Sequence, residues 1–232
     1  MNHPLRIAIT GGTSGLGLAL LRAWHAADAK VAFVARDARR VASTAAALPG
    51  SHGIAGDVSR KDETHRIALQ INAALGGLDV LVNNASTLGP TPLQLLADTD
   101  CEDLEAALAT NLLGPFRLSK ALLGALAASA REGRPARIVN IVSDAAVTPY
   151  ARWGAYGASK AALLHLSRIW DEELREHGIA VIAIDPGDMD TPLHAAALPD
   201  ADRAALKRPA DAASEILALI AAPLHERAGV ST

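Results

Sequence analysis

Short β-branched runs alternate along this chain with longer stretches rich in alanine and leucine, and this alternation constrains the fold most strongly. The short runs have the length and composition of buried strands, whereas the longer stretches have helical spacing. Strands and helices in alternation are typical of a parallel sheet whose crossover helices cover both faces. The sequence therefore predicts an α/β protein with a doubly wound, Rossmann-type parallel sheet in a three-layer α/β/α arrangement.

Six strands and six helices are predicted from these patterns. The predicted strands span residues 5–10, 30–35, 52–55, 78–83, 136–142 and 180–185. The predicted helices span residues 15–29, 38–47, 61–74, 100–130, 155–177 and 210–221. Two long loops remain, 84–99 and 186–209, and loops of this length are commonly functional. The length of 232 residues predicts one domain over residues 1–232.

The charge balance and the cysteine count argue against several functional classes. Twenty-two basic residues against 25 acidic ones give a net charge of −3 without a long basic run, which argues against nucleic-acid binding. The single cysteine, Cys101, excludes an internal disulfide, and the eight scattered histidines predict no metal site. No apolar stretch approaches the ~18 residues of a membrane span. We expect a cytoplasmic protein whose partners are small molecules.

The turn after the first predicted strand is rich in glycine and is followed at once by a helical pattern. Glycines at 11, 15 and 17 allow the backbone to turn tightly and to approach a pyrophosphate at the positive end of the helix. The spacing differs from the G-x-G-x-x-G of ordinary dinucleotide folds. The sequence predicts a dinucleotide-binding turn, with a plain tight turn as the alternative.

The end of the second predicted strand bears on cofactor choice. Where an NAD-selective site has a carboxylate for the ribose 2′-hydroxyl, this chain has Ala35 and then Arg36, and a cation suits a 2′-phosphate. NADP(H) is therefore the preferred cofactor, with NAD(H) possible. Two alternatives remain open. Arg36 could belong with Arg39 and Arg40 to a solvated basic stretch, and a register shift of one residue would move Asp37 toward the ribose.

A tyrosine and a lysine share one face of the long fifth helix. Tyr156 and Lys160 are four residues apart, so the ammonium can reach the neighbourhood of the phenol and favour its ionised form. Ser143 stands at the end of the fifth predicted strand, where its hydroxyl could hold a substrate oxygen. Taken alone, a Tyr-x-x-x-Lys pair is common on helix surfaces.

Taken together, these motifs resemble the short-chain dehydrogenase/reductase family. The glycine-rich stretch 10–17, the Asn-Asn-Ala of 83–85, Asn111, Ser143, the Tyr-Gly-Ala-Ser-Lys of 156–160 and the Pro-Gly of 186–187 occur in the order and spacing of that family. The resemblance runs from about residue 5 to residue 191. It implies an oxidoreductase that interconverts a carbonyl and a secondary alcohol by hydride transfer to or from NADP(H).

The resemblance also implies roles for individual side chains. Tyr156 would be the general acid/base, and Lys160 would lower its pKa and hold the nicotinamide ribose. Ser143 would orient the substrate oxygen, and Asn111 would anchor a water that relays protons to Lys160.

The implied cofactor site draws on residues from all parts of the chain. Its members are Gly11, Thr13, Ser14, Gly15, Leu16 and Gly17 at the pyrophosphate turn, Arg36 at the ribose, Asp57 and Val58 at the adenine, Asn84 and Ala85 beside the ribose, Tyr156 and Lys160, and Pro186, Gly187, Met189 and Thr191 over the nicotinamide amide. A lid loop is expected over residues 187–209.

Two departures from the family pattern affect these expectations. Only residues 223–232 follow the last helix, so the usual final strand and glycine-rich tail are shortened, and we expect a homodimer or homotetramer. Asp144 follows Ser143 and is either a substrate-facing carboxylate or an aspartate satisfied by loop amides.

Val147, Tyr150 and Trp153 predict a pocket for an apolar or aromatic carbonyl compound. A non-catalytic NADP(H)-binding redox sensor is the alternative function.

Overall fold

The computed structural model describes residues 3–221 and contains a six-stranded, all-parallel sheet. The strands are β1 (Arg6–Thr10), β2 (Lys30–Ala35), β3 (His52–Ala55), β4 (Val80–Asn83), β5 (Arg137–Ile141) and β6 (Ala180–Ile184). Their order across the sheet is β3-β2-β1-β4-β5-β6. The order reverses between β1 and β4, as in doubly wound folds, and the predicted Rossmann-type sheet is confirmed.

Helices cover both faces of this sheet. Those with α-helical geometry are α1 (Gly15–Ala26), α2 (Ala38–Ala47), α3 (Thr64–Leu75), α4 (Cys101–Leu108), α5 (Gly114–Arg131), α6 (Gly154–Leu174), α7 (Pro192–Ala197) and α8 (Pro209–Ala221). Successive strand residues point to opposite faces. Ile7 and Ile9 of β1 therefore pack with α1 and α8 in one core, and Ala8 packs in the other core, against α3, α5 and α6.

The strand predictions hold to within two residues at each end. Strands β2 and β3 have the predicted bounds, whereas the other four are one or two residues shorter. Helix predictions fail mainly at the ends. The stretches 61–63 and 175–177, predicted as α-helix, form 3-10 turns instead. Helix α1 ends at Ala26, three residues early, and Asp28 follows in a left-handed conformation.

Two predictions about longer segments were wrong. The predicted helix 100–130 is interrupted by a π-helical turn at Ala109–Leu113. Pro115, two residues after this turn, has no N–H, so it cannot give the carbonyl of Asn111 the i+4 hydrogen bond of an α-helix. The predicted loop 186–209 contains the short helix α7, which begins at Pro192. Thr191 caps this helix, because its hydroxyl accepts a hydrogen bond from the His194 N–H at 3.2 Å.

The shortened tail predicted at 223–232 lies outside the described residues. Within residues 3–221, none of the helices is both long enough and apolar enough to cross a bilayer.

A buried carboxylate ties together the amino edge of the sheet. Asp79 precedes β4, and its side chain is fully buried. Arg6 donates to it from both its guanidinium and its backbone N–H at 2.8 Å, and Arg134 donates at 2.6 Å. The hydroxyl of Ser129 on α5 makes a further short contact. Burial alone would raise the pKa of the Asp79 carboxyl, but the hydrogen bonds from Arg134, Arg6 and Ser129 outweigh it and hold that pKa well below its usual range.

Asp79→Asn tests this network. We expect the variant to lose about 3 kcal/mol of unfolding free energy, because two guanidinium groups lose their buried counter-charge. Urea denaturation measures the loss. Glu132→Ala is the matched control, since Glu132 pairs with the same Arg6 at 3.5 Å but is largely exposed, and its removal should cost less than about 1 kcal/mol.

The same network predicts a pH dependence of stability. Because the native pKa of Asp79 is depressed, its contribution is complete above about pH 4 and is lost as the pH falls below that value. The difference in unfolding free energy between the unaltered protein and Asp79→Asn should shrink as the pH is lowered from 6 toward 3. A difference that stays constant over this range would contradict the account.

Candidate active site

The carboxyl ends of the strands border one large cleft with a volume of about 940 Å³. Most of the predicted site residues line it: Gly11, Thr13, Ser14, Gly15, Leu16, Arg36, Asp57, Val58, Asn84, Ala85, Ser143, Tyr156, Lys160, Pro186, Gly187, Met189 and Thr191. Gly17 and Asn111 are buried and do not line the cleft. Within residues 3–221 there is no group of three or more histidine, cysteine or acidic side chains placed to hold a metal ion.

The glycine turn has a backbone that only small residues allow. Gly11 has a left-handed backbone with φ of +73°, and α1 begins at Gly15. A Cβ atom on Gly17 would lie 2.2 Å from the carbonyl oxygen of Gly11 and 2.5 Å from Nδ2 of Asn84. Ser14 caps α1 without a side-chain hydrogen bond, and the first turn contains no acidic residue. The positive end of α1 is therefore presented to the cleft.

Hydrogen bonds hold this turn against the end of β4. Oγ1 of Thr10 accepts from the backbone N–H groups of Asn84 and Ala85, each at 3.0 Å. Nδ2 of Asn84 donates to the carbonyl oxygen of Thr10 at 2.9 Å. Asn84 lines the cleft, but its side-chain amide supports the glycine turn.

Gly17→Ala tests the tightness of the turn. The added methyl group meets backbone atoms that cannot move aside, so we expect a loss of about 1–3 kcal/mol of unfolding free energy. Gly124→Ala is the control, because Gly124 lies in the interior of α5 with no atoms within 4 Å of the added carbon, and alanine there should stabilise the helix by up to about 1 kcal/mol. Equal effects of the two substitutions, measured by urea denaturation, would contradict the packing described here.

The end of β2 shows which residues face the cleft after this strand. The strand ends at Ala35 as predicted, and Arg36 is exposed and lines the cleft. The carboxylate of Asp37 instead caps α2, where it accepts from the N–H groups of Arg39 at 2.9 Å and Arg40 at 3.2 Å. Arg40 turns back to donate to the carbonyl oxygen of Thr13 at 2.7 Å and also lines the cleft. The guanidinium groups of Arg36 and Arg40 therefore both line the cleft after β2, whereas the sequence predicted only Arg36 for the ribose.

The expected adenine residues lie on a short turn after β3. Oδ1 of Asp57 accepts from the N–H of Ser59 at 2.9 Å and from its hydroxyl at 2.7 Å. Val58 packs close to the start of α5, since a Cβ on Gly114 would lie 2.9 Å from the Val58 carbonyl oxygen. Both residues line the cleft.

Tyr156 and Lys160 lie together at the other end of the cleft and are both buried. The Lys160 ammonium lies 5.5 Å from the centroid of the Tyr156 ring and donates to the carbonyl oxygen of Ile141 at 2.7 Å. Burial lowers the pKa of Lys160 to about 8, against the opposing effect of Asp185.

Burial also dominates the titration of the phenol. It raises the pKa of Tyr156 to about 12, with hydrogen bonding to Ser143 and Ser86 acting in the opposite direction and the charges of Asp185 and Asp144 adding to the rise. In the chain by itself the net shift is therefore upward, opposite to the lowering expected from Lys160. The phenol is protonated at neutral pH.

Tyr150→Phe makes this shift measurable, because the chain contains two tyrosines and Tyr156 is the other one. We expect the folded variant to show little phenolate absorption at pH 11, because the native pKa lies near 12. The same variant unfolded in urea should be largely ionised there, since a free tyrosine titrates near ~10. Equal phenolate absorption in the two samples, with the fold verified by circular dichroism, would contradict the buried environment.

Asn111 occupies the π-helical turn and is fully buried. Its Oδ1 accepts from the Ser86 hydroxyl at 3.1 Å and the Thr87 N–H at 2.9 Å. Its Nδ2 donates to the Thr87 carbonyl oxygen at 2.8 Å and to the Ser159 hydroxyl at 2.9 Å. The side-chain amide therefore joins α6 to the segment after β4. Pro115 was the sequence signal for this irregular turn.

Other residues of the cleft were missed or left undecided. Ser86 follows the predicted Asn-Asn-Ala motif and contacts both Tyr156 and Asn111. Asp185 lines the cleft and acts on both Tyr156 and Lys160, but an aspartate at the end of a strand carries no distinctive signal. Asp144 also lines the cleft, and it accepts from the Ala145 N–H at 2.8 Å, as the loop-amide interpretation expected.

The segment around α7 closes one side of the cleft. Thr191 lies against the glycine turn, because a Cβ on Gly15 would be 3.2 Å from the Thr191 methyl group. Met189 forms an isolated parallel bridge with Lys207, and Arg203 pairs with Asp190 at 2.8 Å. The expected lid therefore has internal contacts of its own.

Comparison with known proteins shows which family this chain belongs to. The model of the short chain dehydrogenase family matches residues 6–202. A galactitol 2-dehydrogenase from Agrobacterium fabrum is 33% identical over 183 residues, covering 78% of this chain and 69% of that protein. A 3-oxoacyl-acyl-carrier-protein reductase of rhamnolipid biosynthesis from Pseudomonas aeruginosa is 35% identical over 187 residues, covering 78% and 72%.

The fold is shared with solved structures over almost the whole chain. A carbonyl reductase from chicken fatty liver, solved with NADPH, has a TM-score of 0.82 at 25% identity, and the match covers 94% of this chain and 92% of that one. The sheet and its glycine turn define a Rossmann-type protein. The chain belongs to the short-chain dehydrogenase/reductase family of oxidoreductases, and the resemblance seen in its motifs is confirmed.

Proposed function

We propose that this chain is an NADP(H)-dependent oxidoreductase that interconverts a carbonyl compound and a secondary alcohol, with Tyr156 as the proton donor and acceptor. The observation that carries the proposal is the placement of a protonated phenol, Ser143 and the glycine turn around one cleft. The names of three relatives, a polyol dehydrogenase, a ketoacyl reductase and an NADPH-bound carbonyl reductase, support this reaction class.

The cleft fits a dinucleotide with a 2′-phosphate. A Cβ on Gly11 or Gly17 would clash with the Asn84 side chain, so the turn keeps its shape only with glycine at these positions. The first helical turn of α1 has no carboxylate to repel a pyrophosphate. Arg36 and Arg40 supply positive charge near the end of β2, while Asp37 is engaged in capping α2. These features favour NADP(H) over NAD(H).

The protein would supply position and a proton, and the bound nicotinamide would supply or accept the hydride. Tyr156 is protonated at neutral pH, which is the form needed to protonate a carbonyl oxygen. Lys160, with a pKa of about 8, is mostly charged at neutral pH and would stabilise the phenolate left behind. In alcohol oxidation the same groups would act in reverse.

Two further residues would prepare the site for this proton transfer. Ser143 would hold the substrate oxygen beside the phenol, since its hydroxyl interacts with Tyr156. Asn111 would act through the structure around it, because its amide fixes Ser86, which also contacts Tyr156. A water held by the carbonyl of Asn111, rather than by its amide, would serve the expected relay to Lys160.

The wall formed by Tyr150, Trp153 and the segment near Leu193 favours an apolar or aromatic substrate. The Trp153 ring packs edge-on against the Tyr156 ring with 5.7 Å between ring centroids, so this aromatic wall lies next to the phenol. The non-catalytic sensor is disfavoured because Tyr156 and Lys160 are both present and face one cleft. A homodimeric or homotetrameric assembly stays a prediction.

Tyr156→Phe tests the assigned proton donor. Loss of the hydroxyl should lower turnover of a carbonyl substrate by about a hundredfold or more, because general acid catalysis is removed. Binding of NADPH, measured by fluorescence titration, should be nearly unchanged since the ring remains. Turnover equal to that of the unaltered protein would refute the mechanism.

Arg36→Leu tests the cofactor preference. The affinity for NADPH should fall by about tenfold or more, which corresponds to the ~1.5–3 kcal/mol of a charge-assisted hydrogen bond. The affinity for NADH should be little changed. Arg39→Leu is the matched control, because Arg39 belongs to the same basic stretch but is outside the cleft lining. Equal losses for NADPH and NADH in Arg36→Leu would show that Arg36 does not contact the 2′-phosphate.

A further inference from the structure

Arg40 connects the start of α2 with the glycine turn that follows β1. Its backbone N–H donates to Oδ1 of Asp37 at 3.2 Å, as part of the cap of α2. Its guanidinium donates to the carbonyl oxygen of Thr13 at 2.7 Å, although the two residues are 27 positions apart in the chain. Arg40 is therefore held at both its backbone and the end of its side chain.

The other contacts of the glycine turn lie closer to β1. The N–H groups of Gly11 and Gly12 donate to the carbonyl oxygen of Val34 at 2.8 and 3.3 Å. These two bonds hold the first half of the turn against β2. The Thr13 carbonyl comes next, and its hydrogen-bond donor among the described residues is Arg40. Without the guanidinium, this carbonyl would be free to rotate.

The direction of the Thr13 carbonyl also fixes the N–H on the other side of the same peptide group. A trans peptide group is planar, so its C=O and its N–H point in opposite directions. The N–H of Ser14 therefore points away from Arg40, and it donates no hydrogen bond to any part of the chain that the structure describes. Ser14 lines the cleft at the start of α1, where unpaired backbone N–H groups bind anions.

We propose that Arg40 is a positioning residue of the cofactor site, which orients the peptide group between Thr13 and Ser14 so that its N–H, and not its carbonyl, faces the pyrophosphate of a bound dinucleotide. The inference rests on the proposed function. NADPH and NADH share the pyrophosphate, so this role differs from the charge that Arg36 presents to a 2′-phosphate. With the guanidinium removed, the Thr13 carbonyl can turn toward the cleft, where its partial negative charge repels the anion.

Arg40→Met tests this role, because methionine keeps much of the side-chain length and removes the guanidinium. The affinities for NADH and NADPH, measured by fluorescence titration, should each fall by about fivefold or more, as expected for one lost hydrogen bond. The loss for NADH, relative to the unaltered protein, should persist in about 0.5 M NaCl, since salt screens exposed charges but leaves the hydrogen bond in place. Arg40→Lys keeps a donor and should recover part of the affinity.

Two controls separate positioning from charge and from folding. Arg39 donates its backbone N–H to the same Asp37 but is outside the cleft lining. Arg39→Met should therefore leave both affinities within about twofold of the unaltered protein, as for most surface substitutions. Urea denaturation should show the same midpoint for Arg40→Met and the unaltered protein, because the Arg40 side chain is exposed.

The outcomes distinguish the inference from the proposed function. If the unaltered protein binds neither dinucleotide, both are overturned. Because every readout is binding, the inference is decided even if no ketone or aldehyde is turned over, an outcome that would overturn the proposed reaction only. An NADH affinity that is unchanged in Arg40→Met, or lowered equally in Arg39→Met, would overturn the inference alone.

Discussion

The order of the strands reverses between β1 and β4, and the hydrogen bonds between Thr10 and Asn84 hold that reversal point together. A cleft opens at the carboxyl edge of a sheet wherever neighbouring strands send their connections to opposite faces. Without a link across it, the glycine turn after β1 and the segment after β4 would be independent loops. These hydrogen bonds join the glycine turn and the segment after β4 into one surface at the bottom of the cleft.

The second determinant is the exclusion of water from Tyr156 and Lys160. Both side chains belong to α6, which packs on β5 and β6, and this packing shifts the pKa of the phenol upward and that of the ammonium downward. Burial favours the neutral form of each group. It also places both groups where solvent screens the charges of neighbouring side chains only weakly. The carboxylates of Asp144 and Asp185 are charges of this kind for Tyr156, and Asp185 is one for Lys160. Burial thus makes the titration of the site responsive to what the cleft contains.

Much of the fold could be predicted because its signals are local. Strand β2 is a continuous β-branched and apolar run ended by Arg36 and Asp37, and its bounds were predicted without error. The glycine turn was recognisable because its residues are adjacent in the chain and their conformational demands are severe. Most of the predicted site residues line the cleft for a related reason, since parallel strands deliver their carboxyl ends to one edge.

The missed features depend on partners that are distant in sequence or on competing local preferences. The interruption at Asn111 required weighing Pro115 against a long alanine-rich helical pattern. The function of the Asn111 amide depends on Thr87 and Ser159, which only the folded chain brings near. Likewise Asp144 was ambiguous because its donors include Tyr150, six residues away across a turn. The downward effect of Lys160 on the phenol was expected from helical spacing, but burial, which is a property of the whole fold, dominates.

A crystal structure of the protein with NADP⁺ would show whether one cleft brings the dinucleotide and Tyr156 together. We expect the pyrophosphate at the start of α1, the 2′-phosphate in contact with Arg36, and the nicotinamide ring beside the Tyr156 hydroxyl. A dinucleotide bound outside this cleft, or one whose nicotinamide is directed away from Tyr156, would contradict this arrangement.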